Sequence, residues 1–134
     1  SYWCLCTERD FFRSDLYAGF TEKTVKCILY GIPFVIIGLP GTLKKLQELG
    51  FMTFSSVIDE SYDEITDDWK RFEKIKQVID YLGSLNYNEL HLINKKLRPV
   101  LEHNYERYQE IHRSLPCGEL FNRIQQWDRM SDQE

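Results

Sequence analysis

A short apolar run at residues 33–37, Pro-Phe-Val-Ile-Ile, constrains the fold more than any other stretch. Gly31 lies two residues before it and Gly38 directly follows it. A continuous run of this kind, rich in β-branched residues, is typical of a strand covered on both faces, as in a parallel sheet. Apolar residues at helical spacing precede the run, so the pattern predicts a helix that ends at Gly31. A helix that leads into a buried strand favours a right-handed β-α-β unit.

The remaining pattern extends this unit. The predicted elements of the first half are a strand at residues 2–7, a loop, a helix at 21–30 capped by Thr21, the strand at 33–37, a helix that Thr42 caps and Gly50 ends, and a possible strand at 51–54. The second half predicts helices: one marked by Trp69, Phe72, Ile75, Ile79 and Leu82, a longer one divided at Pro99, and a short last one at 120–127.

We therefore expect a single α/β domain over residues 1–134. Residues 1–58 would form a nucleotide-binding-like half, with a small Rossmann-like parallel sheet of about three strands flanked by helices. Residues 59–134 would form a helical C-terminal half. A chain of this length can bury a core without disulfides or structural metals.

Composition excludes some function classes. The formal net charge of −4 argues against a general nucleic-acid or membrane-surface binder, because both need a basic face. The longest apolar run is too short to span a membrane. The cysteines at 4, 6, 27 and 117 show no metal-binding spacing. We predict reduced, mostly buried thiols, which is typical of an intracellular protein and favours a cytoplasmic location.

The segment before the apolar run suggests a site for a phosphate-bearing ligand. Open parallel sheets bind ligands at the carboxyl ends of their strands. A helix beginning at Thr21 would place unpaired N–H groups and a partial positive charge there, and Lys23 would add a full one. Gly38 would allow close backbone approach at the next strand end. A plainer interpretation stays open, in which Thr21 is a cap, Glu22 pairs with a neighbouring lysine on the surface, and Lys23 is solvated.

These segments resemble a known family. The stretches YWCLCTE at residues 2–8 and FTEKTVKCILYGIPFVIIG at 20–38 are similar to the donor-binding part of α-1,3-fucosyltransferase-type glycosyltransferases. That family has a strand ending near a glutamate, then a Thr-Glu-Lys triplet, a helix, and a Gly-Pro-Gly frame. The longer pattern to about residue 75 also resembles glycosyltransferase-like proteins of viruses and phages.

The resemblance implies a function and a set of site residues. It implies the GT-B architecture, in which the C-terminal domain binds a nucleotide diphosphate sugar and needs no metal cofactor. Lys23 would contact the diphosphate and Glu22 the ribose or sugar, with Thr21 as cap and possible ligand contact. Glu8 and Arg9 would lie at the pocket rim, although Arg9 stands where the family has asparagine.

The same resemblance limits what the chain can do alone. Acceptor binding and the general base would come from a missing N-terminal domain, so no catalytic residue is identified here. The alternative is a non-catalytic protein-interaction module of Rossmann-like fold, which would use its C-terminal helices to bind a protein.

Two other groups of residues are candidate metal ligands. Acidic residues crowd positions 59–68, which suggests either a Mg²⁺ or Mn²⁺ site or a solvated loop whose last acids favour a helix N-terminus. His91, His103 and His112 are scattered along the long helical region, so we expect no metal site from them.

Overall fold

The chain has a mixed α/β fold. The computed structural model describes residues 2–7 and 22–114, with the backbone alone at Glu22 and Ser114. Its regular elements are β1 (Cys4–Thr7), α1 (Glu22–Tyr30), β2 (Phe34–Ile37), α2 (Thr42–Glu48), a 3₁₀ helix (Ser61–Glu64), α3 (Asp68–Ser84), α4 (Tyr87–Lys96) and α5 (Arg98–Ser114).

The sheet consists of β1 and β2, which pair in parallel. Cys4 lies opposite Phe34, and the register continues to Thr7 opposite Ile37. A parallel pair needs a crossover connection, and α1 lies within that connection. Phe34, Val35 and Ile36 are almost completely buried, which confirms the predicted strand covered on both faces.

Residues 51–54 form no strand, so the described part of the chain has two paired strands rather than about three. A side chain takes the place of a neighbouring strand. The Asn104 amide accepts from Met52 N at 2.8 Å and donates to Met52 O at 2.9 Å. The Glu60 carboxylate accepts from Phe54 N at 3.0 Å. These bonds satisfy backbone groups that a sheet ladder would otherwise have to pair.

Glycines end α1 and α2 as predicted, but the N-terminal cap of α2 differs from the prediction. Gly31 and Gly50 follow α1 and α2 with φ of 65° and 94°, the left-handed conformation that ends helices. The prediction that Thr42 caps α2 was wrong. Thr42 is the first helical residue, its hydroxyl donates back to Leu39 O at 2.8 Å, and the capping position belongs to Gly41.

Of the predicted helical second half, the structure describes residues 59–114, which are largely helical, with a shifted buried face on α3. The predicted last helix at 120–127 lies outside the described residues. The stripe of α3 that faces the core is Arg71, Ile75, Val78 and Leu82. Trp69 and Phe72, expected in that stripe, are 70% and 46% exposed. The predicted division of the long helix is confirmed: α4 and α5 meet at Leu97, and Pro99 lies in the first turn of α5, where proline is tolerated.

The core lies between the sheet and the surrounding helices. Its most deeply buried apolar side chains come from both strands, from α1, α2, the 3₁₀ helix and α3, and from residues between helices: Cys6, Val25, Ile28, Phe34, Val35, Ile36, Leu43, Leu46, Phe54, Tyr62, Ile75 and Leu97. Across residues 2–7 and 22–114, no helix combines the length and apolar character that crossing a membrane requires.

Candidate functional site

The carboxyl end of β1 meets the first turn of α1 at one edge of the sheet. The Lys23 ammonium donates to the Thr7 carbonyl at 2.9 Å and lies 3.5 Å from the Thr7 hydroxyl. The Lys23 side chain is exposed, whereas Thr24, Val25 and Ile28 face the core. The apolar stripe of α1 therefore turns Lys23 outward, toward the strand end where parallel sheets bind ligands.

The structure describes two of the other predicted donor-site residues, Glu22 and Gly38. Glu8, Arg9 and Thr21 lie outside the described residues. Glu22 begins α1, so its backbone is at the expected helix N-terminus. Gly38 directly follows β2, but it is buried, and its carbonyl accepts from Arg71 Nε at 3.1 Å. The structure thus brings Lys23 to the β1 end and covers Gly38 with a guanidinium.

A second helix N-terminus, that of α2, follows the end of β2, and a carboxylate of the chain itself occupies it. Leu43 N donates to Asp63 Oδ1 at 2.9 Å, and Lys44 N donates to Oδ2 at 3.1 Å. Gly41 N donates to the Asp63 carbonyl at 2.8 Å. These are the unpaired N–H groups that a bound anion would otherwise contact. The α2 N-terminus is therefore closed to a phosphate.

Asp63 is ionisable yet buried. Burial raises the pKa of its carboxyl above the ordinary range, and the N–H donors of α2 oppose that shift without cancelling it. This carboxyl caps the N-terminus of α2, a role that an aspartate directly before the helix usually has. Asp63 lies 20 residues after Leu43, whose N–H it accepts, so its sequence position gives no local signal of that role.

Arg71 fills the space beyond the end of β2. Its side chain is 1% exposed. Besides the bond to Gly38, the guanidinium donates to the carbonyls of Ile65 and Thr66 at 3.1 and 3.3 Å and to Asp68 Oδ1 at 2.8 Å. Several donors in a fixed fork suit this task. Asp63 and Arg71 together make the β2 end a structural junction, and neither side chain bonds to the β1 end in these hydrogen bonds.

A groove of about 800 Å³ lies next to α2 and has acidic walls. Its lining includes Glu60 and Asp63 beside the exposed Asp59 and Glu64. Burial raises the pKa of Glu60. The hydrogen bond from Lys74, with Nζ 2.7 Å from Asp59 Oδ2, lowers the pKa of Asp59 to about 2. A groove with these walls repels phosphate.

The acids that suggested a divalent cation have structural partners instead. Asp59 accepts from Ser61 N at 2.9 Å, Asp67 caps α3 by accepting from Lys70 N at 2.9 Å, and Asp68 pairs with Arg71. Within the described ranges, no set of three acids or histidines brings its ligand atoms together closely enough to hold an ion.

Three thiols do come together inside the β1–α1 contact. Cys6 Sγ lies 3.5 Å from Cys27 Sγ and 3.9 Å from Cys4 Sγ. Cys6 and Cys27 are buried, as predicted, and Cys4 is half-buried. The hydrogen bond with Cys27, together with burial, raises the pKa of the Cys6 thiol. Burial likewise raises the pKa of Cys4. Such thiols stay protonated and are poor nucleophiles.

The residues that sequence reasoning missed are those that act at long range. Asp63 is one of several acids in a polar stretch, and Arg71 occupies a position that helical spacing assigns to an apolar residue. The shared strand face of Cys4 and Cys6 was visible, but the approach of Cys27 depends on how α1 packs. Comparison of the chain with protein-family models, with curated proteins and with solved structures finds no match in any of the three.

Proposed function

We propose that this chain is the nucleotide-sugar-binding domain of a glycosyltransferase and that it binds a nucleotide diphosphate sugar at the carboxyl end of β1. One observation carries the proposal: the exposed Lys23 ammonium lies 2.9 Å from the last carbonyl of β1, at the first turn of the crossover helix. This is the edge at which parallel β-α-β units bind phosphates. A Rossmann-like character of residues 1–58 belongs to the same proposal.

The chemistry of the edge suits a diphosphate. The first turn of α1 contributes backbone N–H groups and a partial positive charge, and Lys23 contributes a full charge. Its exposed bond to Thr7 joins a cation to a neutral carbonyl, whereas a bond to phosphate would join the same cation to an anion and is stronger. On binding, Lys23 would exchange its present contacts, that to Thr7 among them, for the ligand, and there it would stabilise the charge that develops on a leaving diphosphate.

The remaining roles follow the resemblance. Glu22 would bind the ribose or sugar, Thr21 would cap α1, and Glu8 and Arg9 would form the rim. Gly38 would contribute the backbone of the neighbouring strand end. Acceptor binding and the general base would come from a separate N-terminal domain. A cytoplasmic setting and a lack of nucleic-acid partners complete the proposal, supported by the clustered thiols and by the net charge of −4.

A matched pair of lysine variants tests the proposal. Lys23 and Lys26 are both exposed on α1, but it is Lys23 whose ammonium donates to the last carbonyl of β1. UDP, GDP and their sugars are titrated by calorimetry and by thermal shift. A ligand at 100 times its Kd should add about 2.7 kcal/mol to the unfolding free energy of the wild type.

We expect Lys23→Gln to weaken nucleotide binding by at least about tenfold, the loss of one charge-assisted bond of ~1.4 kcal/mol. Lys26→Gln should bind like the wild type, and both variants should fold because both side chains are exposed. Equal losses in the two variants, or no binding of any nucleotide at millimolar concentration, would reject the proposed site.

The protein-interaction module is the second candidate. The filled α2 N-terminus and the buried Arg71 favour it, because both close positions that a nucleotide-binding edge could use. The helical half also exposes large side chains, including Tyr87 and Leu92 at 66% and 65%. This candidate predicts no nucleotide binding in any of the titrations above.

A further inference from the structure

The cysteine cluster is a built site that the proposed function does not use. Cys4 and Cys6 lie two residues apart on β1, so their side chains point to one face of the strand. Cys27 extends from α1 onto that face, and its sulfur lies 3.5 Å from that of Cys6. All three sulfur atoms lie within 4.8 Å of one another.

The size of this sulfur triangle matches a metal site. Three sulfurs that surround one ion at the ~2.3 Å metal–sulfur distance of zinc lie about 4 Å apart in a planar arrangement. The separations of 3.5 and 3.9 Å, with a limit of 4.8 Å for the third, bracket that value. An ion could enter the triangle with small side-chain rotations. A disulfide would require Cys6 and Cys27 to close from 3.5 Å to a bond of about 2.05 Å.

The chemistry of the three ligand atoms determines which class of metal ion can bind. All three ligand atoms are sulfur, which selects soft ions over Mg²⁺, Ca²⁺ or Mn²⁺. Among residues 2–7 and 22–114, the cluster contains three ligating residues and no fourth. Structural zinc takes four ligands. Cu(I) is the soft ion that thiolates favour, and it does not require a fourth ligand.

The three cysteines of the cluster differ in how far they are buried. Cys6 is 1% exposed and Cys27 is 5% exposed, so their sulfurs are shielded from solvent. Cys4 is half-buried and lies on the open side of the cluster. An ion would approach past Cys4 and then bind the two deeper sulfurs.

We propose that Cys4, Cys6 and Cys27 bind one soft, thiophilic metal ion, Cu(I) by chemical class, through three sulfur atoms. Binding replaces the thiol protons, which pass to solvent, and transfers no electrons. The bound ion joins β1 to α1 through two bonds to the β1 cysteines and one bond to Cys27 of α1. The site is separate from the nucleotide-binding edge in its residues, so this inference does not depend on the proposed function.

Anaerobic titration of the reduced chain tests this proposal. Cu(I) is supplied as its coloured bicinchoninate complex, and loss of colour reports transfer to the protein. We expect one Cu(I) per chain and a rise in the melting temperature. Zn²⁺ should bind more weakly than Cu(I), because residues 2–7 and 22–114 supply three of the four ligands that structural zinc takes. A failure to compete with bicinchoninate, or tighter binding of Zn²⁺, would overturn the proposal.

Two serine variants locate the site. Cys4→Ser removes a half-buried ligand and should fold, whereas Cys117→Ser changes the one cysteine of the sequence that the three-sulfur assignment does not use. Loss of an outer-shell partner weakens metal binding by up to about 100-fold, so loss of a ligand should cost at least that much. We expect this loss in Cys4→Ser and wild-type affinity in Cys117→Ser. Equal affinity of Cys4→Ser and the wild type would contradict the assignment.

Spectroscopy of the wild type gives a readout that needs no variant. X-ray absorption of the copper-loaded chain should show sulfur as the only ligand element, with three sulfurs around each copper. A shell of nitrogen or oxygen ligands would overturn the proposal, as would a Cys6–Cys27 disulfide in the chain purified without reductant.

Discussion

At the scale of single residues, Arg71 connects the end of β2 to the segment that precedes α3. Its guanidinium donates to Gly38, Ile65 and Thr66 and pairs with Asp68. The side chain is buried, so each lost bond would leave a carbonyl away from water without a donor. The residue therefore acts as a polar part of the core.

Removing this guanidinium should strongly destabilise the chain. We expect Arg71→Ala to lower the unfolding free energy by about 3 kcal/mol or more, because it leaves a cavity and unpaired carbonyls and isolates Asp68. Arg98 provides the control: it also pairs with an acid on its own helix, but its side chain is 79% exposed. Arg98→Ala should cost less than about 1 kcal/mol. Urea denaturation measures the unfolding free energy of both variants. Similar losses in Arg71→Ala and Arg98→Ala would contradict the role of Arg71 as a polar part of the core.

Glu60 gives stability a pH dependence. Burial raises the pKa of its carboxyl, so the folded chain binds this proton more tightly than the unfolded chain does. The contribution of Glu60 to folding stability is complete below the pKa that a glutamate has in the unfolded chain, about 4.3. This contribution is lost as the pH rises through the higher pKa that Glu60 has in the folded chain. Asp63 acts in the same direction. Asp59, whose pKa is lowered to about 2, loses its stabilisation only at more acidic pH.

Glu60→Gln should flatten this profile. The glutamine carbonyl can still accept from Phe54 N, but it does not ionise. We expect the unfolding free energy of the variant to fall less steeply than that of the wild type as the pH rises above about 4.3, the unfolded pKa of a glutamate. Near neutral pH the variant should equal or exceed the wild type. Denaturant titrations at a series of pH values test this, and a variant profile parallel to the wild type would contradict it.

At the scale of elements, helix ends combine local signals with long-range ones. Gly31 and Gly50 both adopt left-handed φ after a helix, and both positions were predictable from the sequence. Their surroundings differ. A Cβ at Gly31 would meet no atom within 4 Å, whereas one at Gly50 would lie 2.5 Å from Arg107 Nε. That Nε donates to Leu49 O at 2.8 Å and holds α5 against the end of α2.

Alanine at the two glycines should separate backbone strain from this contact. Gly31→Ala should cost about 1–2 kcal/mol through left-handed strain alone. Gly50→Ala adds displacement of Arg107 and loss of its bond to Leu49, so we expect at least about 1 kcal/mol more. The difference in unfolding free energy between the variants is the measurement. Equal losses would show that Arg107 does not hold α5 against α2.

Local patterns predicted most of the elements because periodicity and glycine act within a few residues. Both strands, α1, α2, α3 and the division at Pro99 follow from such signals. The third strand failed at residues 51–54 because the Asn104 amide, about fifty residues away, binds Met52 in place of a ladder. The α2 cap failed for the same reason, since Asp63 competes with Thr42 from a distance. Neither Asn104 nor Asp63 could be identified as a partner from the sequence, because each is distant along the chain from the residues that it binds.

At the scale of the whole molecule, one edge of the sheet remains suited to a ligand. The β2 end is occupied by Asp63 and Arg71, and the groove beside α2 is acidic. The β1 end carries Lys23 at the start of α1. The sequence predicted Lys23 at a helix start beside a strand end. It could not predict that the neighbouring helix N-terminus would be filled from within the chain.

The most direct test is to record backbone amide shifts of the ¹⁵N-labelled chain during titration with UDP or GDP. If the diphosphate binds at the β1 end, the largest shifts should fall on Thr7, Lys23 and Thr24, and Leu43 and Lys44 should change little because Asp63 already accepts from them. Shifts centred on Leu43 and Lys44, or no shifts at millimolar nucleotide, would contradict a nucleotide-binding edge at β1.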